Sequence, residues 1–115
     1  MTEPTIDRAT YDELKDTAGA DFVVELVDTF LDEAPRLIEG LRTAYDQRNA
    51  DVFRRSAHSL KSNSNTFGAL RLAALARDLE LKGLDPDPAR DTTALAALEA
   101  EYTRAAAALK DLRNG

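Results

Sequence analysis

The chain carries one histidine, His58. An imidazole is the side chain whose ordinary pKa lies nearest neutrality, and its neutral form offers a nucleophilic ring nitrogen. If the segment around it is helical, its surface neighbours stand three, four and seven residues away. Those positions hold Arg54, Arg55, Lys61, Ser62 and Asn65. The opposite side of the same helix would carry Phe53, Ala57, Leu60 and Ser64. His58 is therefore expected at the centre of a polar, partly basic face, turned away from an apolar one. Such a face suits an anion, above all a phosphoryl group. Its plain alternative is a solvated outer surface, where charged residues are the norm.

Other chemistries find little support. The sequence has no cysteine, which excludes thiol catalysis, zinc–thiolate sites and disulfides. Asp32 and Glu33 suggest paired carboxylates or a metal, but a di-iron bundle needs a Glu-x-x-His pattern that is absent. Ser56 and Ser59 flank His58 and, on a helix, point elsewhere, so no Ser–His catalytic pair is expected. No glycine-rich phosphate loop is present, so ATP binding of the kinase type is not expected. The net charge of −6 argues against a broad nucleic-acid surface. No apolar run reaches membrane-spanning length, and the polar start MTEPTIDRAT is unlike a signal peptide, so a cytoplasmic protein without membrane partners is expected.

The elements that must position His58 read at helical period. Asp7 can cap a short helix from about Arg8 to Thr17, stopped by Gly19. A long stretch follows from Phe22 to about Gln47, with Val23, Leu26, Val27, Phe30, Ala34, Leu37, Ile38, Leu41 and Tyr45 on one stripe. Pro35 inside it predicts a kink or break near Asp32. Asn49 caps the His58 helix, roughly Ala50 to Asn65, and Thr66 to Gly68 form a short connection. A fourth helix bears Leu72, Leu75, Ala76 and Leu79 and stops near Gly83. Leu84–Arg90 reads as a loop, within which Asp87 and Pro88 can open the last helix as cap and first residue. That helix carries Leu95, Leu98, Tyr102, Ala105, Leu109 and Leu112 at bundle spacing. The expected fold is all-α: an up-and-down four-helix bundle with a short extra N-terminal helix, forming one domain over residues 1–115.

The segment AHSLKSNSNTFGA, Ala57 to Ala69, resembles the signature of histidine-containing phosphotransfer (HPt) domains. That signature has a phospho-accepting histidine, leucine at +2, lysine at +3, small residues at +4 to +6 and glycine at +10; here these are His58, Leu60, Lys61, Ser62 to Ser64, and Gly68. The resemblance continues through Phe22 to Lys61, including the Phe–Leu–Asp–Glu–Ala–Pro stretch, and through the helix from Leu70 to Leu81. It implies a phosphorelay intermediate. His58 would take a phosphoryl group from a receiver-domain aspartyl phosphate and pass it to a response regulator receiver, or back.

The resemblance also assigns roles. Lys61 would pair with phosphoryl oxygens, its alternative being an exposed solubilising lysine. The family usually has glycine at +4, where this chain has Ser62; serine could donate a hydrogen bond to the phosphoryl group or crowd the approach. At +22, where the family often places a polar side chain on the neighbouring helix, stands Glu80. It would accept from Nδ1–H and leave Nε2 as nucleophile, or else be an ordinary solvated glutamate. Gly68 suits a turn or close helix packing. The partner would dock through Arg54, Arg55, Ser62 and Asn65, with Phe22, Val23 and Leu26 from the preceding helix. The implied partners are receiver domains and a sensor or hybrid histidine kinase. The domain itself would be a monomer with no cofactor, no metal and no enzymatic kinase activity, the Mg²⁺ lying on the receiver. The alternatives are a non-phosphorylated helical adaptor of the same fold, or the phospho-accepting domain of a chemotaxis-type kinase.

Overall fold

The computed structural model describes residues 5–84 and 87–114. Helices α1 (Arg8–Ala18), α2 (Ala20–Gln47), α3 (Ala50–Thr66), α4 (Leu70–Lys82) and α5 (Pro88–Asn114) account for nearly all of them, and no strand occurs among the described residues. The helix ends follow the local chemistry. Asp7 accepts from the Thr10 backbone N–H at 3.2 Å, and Asn49 accepts from that of Val52 at 3.2 Å, each satisfying a donor the first turn leaves open. Gly19, between α1 and α2, has φ of 94°, a conformation that excludes most side chains. The last helix begins at Pro88, inside the stretch read as a loop, with Asp87 before it. Proline lacks the N–H that a first helical position would not use. Residues 85 and 86 of that stretch lie outside the described ones.

α2, α3, α4 and α5 form a ring in which α3 packs on α2 and α4, and α5 on the same two, so α3 and α5 stand diagonally opposite. Short connections make successive helices antiparallel. The core is the set of stripes read from the sequence: Val27, Phe30, Ala34 and Leu41 of α2, Phe53, Ala57 and Leu60 of α3, Leu72 and Ala76 of α4, and Leu98, Ala105 and Leu109 of α5 are all buried. Phe30 is its aromatic centre, with ring centroids 5.2 Å from Phe67 and 6.1 Å from Tyr102. α1 lies against α2 and α3. The Asp7 N–H donates to the Gly68 carbonyl at 2.8 Å, tying the start of α1 to the α3–α4 turn.

α2 is helical through Pro35, so of the kink or break its sequence suggested, the break does not occur. Proline removes the hydrogen bond to the carbonyl four residues back, here that of Leu31. The Tyr102 hydroxyl, reaching over from α5, approaches that carbonyl at 3.5 Å. The contact is long, but it gives the freed acceptor a donor, and packing on both flanks holds the helix together.

Candidate functional site

α3 explains where His58 points. Phe53, Ala57, Leu60 and Ser64 are all buried to the last percent, which fixes the rotation of the helix. His58 is then turned outward, with 60% of its side chain exposed. Ser64 fills a core position with a hydroxyl that has no hydrogen-bond partner among the described residues.

On one flank the imidazole meets α4. Its Nδ1 is hydrogen-bonded to Oε2 of Glu80, whose other oxygen, Oε1, accepts from Lys61 Nζ at 2.7 Å. Lys61 stands one turn beyond His58, so both α3 side chains converge on one carboxylate. Lys61 is 24% exposed and Glu80 15% exposed, far less than the ring they support. The Lys61 hydrogen bond holds the Glu80 carboxyl below the usual glutamate range; burial opposes this, and the His58 hydrogen bond adds to it. An ionised Glu80 acts as an acceptor, so Nδ1 carries the proton, and the neutral ring then has its lone pair on Nε2.

On the other flank lies a cavity of about 440 Å³ between α3 and α2, lined by Glu33, Arg36, Leu37, His58, Ser59, Ser62 and Asn63. A second groove continues from it, bounded by Leu26, Thr29, Phe30, Glu33, Asn63, Thr66 and Phe67. Glu33 and Asn63 line both, so an open channel runs along α2 and α3 from His58 toward the α3–α4 turn.

The residues expected at the site fall into three groups. His58 and Lys61 both bond to Glu80, and Ser62 shares the cavity with the ring. Leu26 lines the adjoining groove, and Phe22, one turn earlier on α2, is 51% exposed. Arg54, Arg55 and Asn65 are exposed but line neither cavity, and Arg55 pairs with Asp51 at 3.1 Å. Val23 is a correction: at 1% exposure it belongs to the core and offers nothing to a partner, because its place on the stripe faces inward. Ser59 is another. It does not turn away from the site but lines the cavity beside His58. Arg36 was not singled out from the sequence, and Leu37 and Asn63 were read there only as a stripe residue and as one of the small residues after Lys61. The three-and-four spacing of Glu33, Arg36 and Leu37 marks one face of α2, yet only the packing of α2 on α3 brings that face to the histidine.

Among the described residues no cluster of histidine and carboxylate side chains could hold a metal ion, and no helix is long and apolar enough to cross a membrane. A bundle that presents one outward histidine, clamped at Nδ1 by a carboxylate, fits a class of small helical phosphoryl carriers. The Hpt domain family model matches residues 25–108, and the chain belongs to that family. It is thus a histidine phosphotransfer domain of two-component signalling. Its fold is similar to the crystal structure of histidine-containing phosphotransfer protein B (HptB) from Pseudomonas aeruginosa PAO1, with a TM-score of 0.84 and 24% identity over 98% of this chain and 97% of that one. No curated protein matches the sequence.

Proposed function

We propose that this chain is a cytoplasmic phosphorelay carrier whose phosphoacceptor is His58. It takes its phosphoryl group from the aspartyl phosphate of a receiver domain and hands it to a response regulator receiver, or back. The observation that carries this reading is an exposed imidazole whose Nδ1 is already engaged by Glu80. Nε2 attacks phosphorus in line, the P–O bond to the aspartate breaks, the carboxylate leaves, and an Nε2–P bond forms. The Nδ1 proton stays on the ring, shared with Glu80, whose negative charge stabilises the cationic phosphoimidazole. Lys61 holds Glu80 in place and keeps a positive charge beside the ring. Reversal of the same steps returns the phosphoryl group to a second receiver.

In this reading the receiver brings the Mg²⁺, and the chain needs no cofactor and has no ATP-dependent kinase activity. A sensor or hybrid histidine kinase stands upstream. The receiver docks over the channel between α2 and α3, with Leu26 at its far end and exposed Phe22 beyond. The test is incubation with a receiver phosphorylated on its aspartate. The chain should acquire a phosphate that is labile in acid and stable in base. A chain that takes no such label from any of a panel of receivers is an adaptor and not a carrier.

A further inference from the structure

The cavity beside His58 contains a cation that the phosphotransfer motif does not include. We infer that Arg36 of α2 binds the phosphoryl group once it is on His58, an assignment that rests on His58 being the phosphoacceptor. Three observations point there. Arg36 lines the same cavity of about 440 Å³ as His58 and Ser62, on the opposite wall from α3. Lys61 is absent from that lining, and its ammonium is committed to Glu80 at 2.7 Å on the other flank of the ring. Among the described residues lining the cavity, Arg36 alone carries a positive charge.

Arg36 is also free to move. Its ion pair with Asp32 is 3.6 Å long, and the two side chains are 78% and 69% exposed. Such a pair contributes little and is easily exchanged for a stronger one. A phosphoryl dianion is that stronger partner, since the guanidinium fork meets two of its oxygens at once. Glu33, one turn before Arg36 and on the same cavity wall, would repel the incoming charge. Arg36 offsets that repulsion. The two flanks of the ring then divide the work: α4 holds Nδ1 through Glu80, and α2 supplies the cation on the side where the phosphoryl group sits.

The test uses the whole chain and potassium phosphoramidate as donor. In that reaction the P–N bond of the zwitterionic donor breaks, neutral ammonia leaves, and the Nε2–P bond forms. Wild type, Arg36→Ala, Arg36→Lys and Lys110→Ala (an exposed cation on α5) are phosphorylated. The label is located by peptide mass spectrometry, and the second ionisation of the phosphoryl group is followed by phosphorus NMR against pH. A paired cation favours the dianion, so Arg36→Ala should raise that ionisation by about half a unit. Arg36→Lys should fall between the two, and Lys110→Ala should match wild type. If Arg36→Ala is labelled on His58 and titrates as wild type does, or if Lys110→Ala shifts it equally, Arg36 does not bind the phosphoryl group although His58 still accepts it. A wild-type chain that takes no label on His58 ends both readings.

Discussion

Glu80 lies 22 residues beyond His58 and on another helix, yet its Oε2 closes on the Nδ1 of the ring while its Oε1 holds Lys61. One carboxylate therefore joins the two motif side chains of α3 to α4, and the same contact sets the tautomer of the histidine.

This contact has a pH signature. The Glu80 carboxyl is held below its ordinary 4.5, chiefly by the Lys61 hydrogen bond. A carboxyl depressed in the folded state stabilises the fold above its unfolded value, and that stabilisation is lost as pH falls through the folded one. From about pH 4.5 downward, wild type should lose its urea midpoint more steeply than Glu80→Gln. Parallel curves for the two proteins would show that Glu80 is as well solvated folded as unfolded.

Gly68 should tolerate no side chain. Its φ is 79°, and a Cβ there would stand 2.7 Å from the Asp7 carbonyl oxygen and 3.0 Å from Thr10 Cβ. Backbone strain and the clash should together cost Gly68→Ala about 2 kcal/mol in urea unfolding. Gly83, with φ of 64° and open space where its Cβ would lie, should lose less on the same change. Equal losses at both positions would mean that the α1 contact at Gly68 contributes nothing.

Neighbouring residues on α2 should behave oppositely. Val23→Ala removes buried methyl groups and should cost about 2 kcal/mol of stability. Phe22→Ala should leave the unfolding free energy in urea within about 0.5 kcal/mol of wild type, while weakening binding of a cognate receiver in a titration. A Phe22→Ala chain that binds the receiver as wild type does would take Phe22 out of the docking surface.

Much of this was legible in the sequence because the physics is local. Caps at Asp7 and Asn49, the stop at Gly19 and the buried stripes all follow from side chains within a turn or two of each other. The outward aim of His58 followed in the same way from Phe53, Ala57 and Leu60. Glu80 was reached only through the spacing of a known motif, since no local rule links it to His58. What stayed hidden depends on which helix faces which. The continuity of α2 at Pro35 involves a hydroxyl from α5, which stripe residues stay open to a partner depends on how the stripe is rotated into the core, and the Arg36 wall of the cavity exists only where α2 meets α3.

Ser62 is where the chain departs from the usual glycine, and it lines the cavity with the ring. If its bulk obstructs the receiver, Ser62→Gly should speed transfer despite a helix-propensity loss of roughly 0.5 kcal/mol, and Ser62→Ala should resemble wild type. Faster transfer is the expected result, because serine adds bulk beside the nucleophile. Should both variants instead shorten the lifetime of phosphohistidine, the hydroxyl is a donor to the phosphoryl group and the steric account is wrong.

The most direct measurement compares wild type with His58→Gln on exposure to a receiver carrying radiolabelled aspartyl phosphate. The side chain is 60% exposed, so the variant should keep the helicity and urea midpoint of a folded bundle. Wild type should acquire acid-labile, base-stable label, and His58→Gln should acquire none. Label of that stability on a folded His58→Gln chain would contradict the account, because the phosphoryl group would then be carried elsewhere.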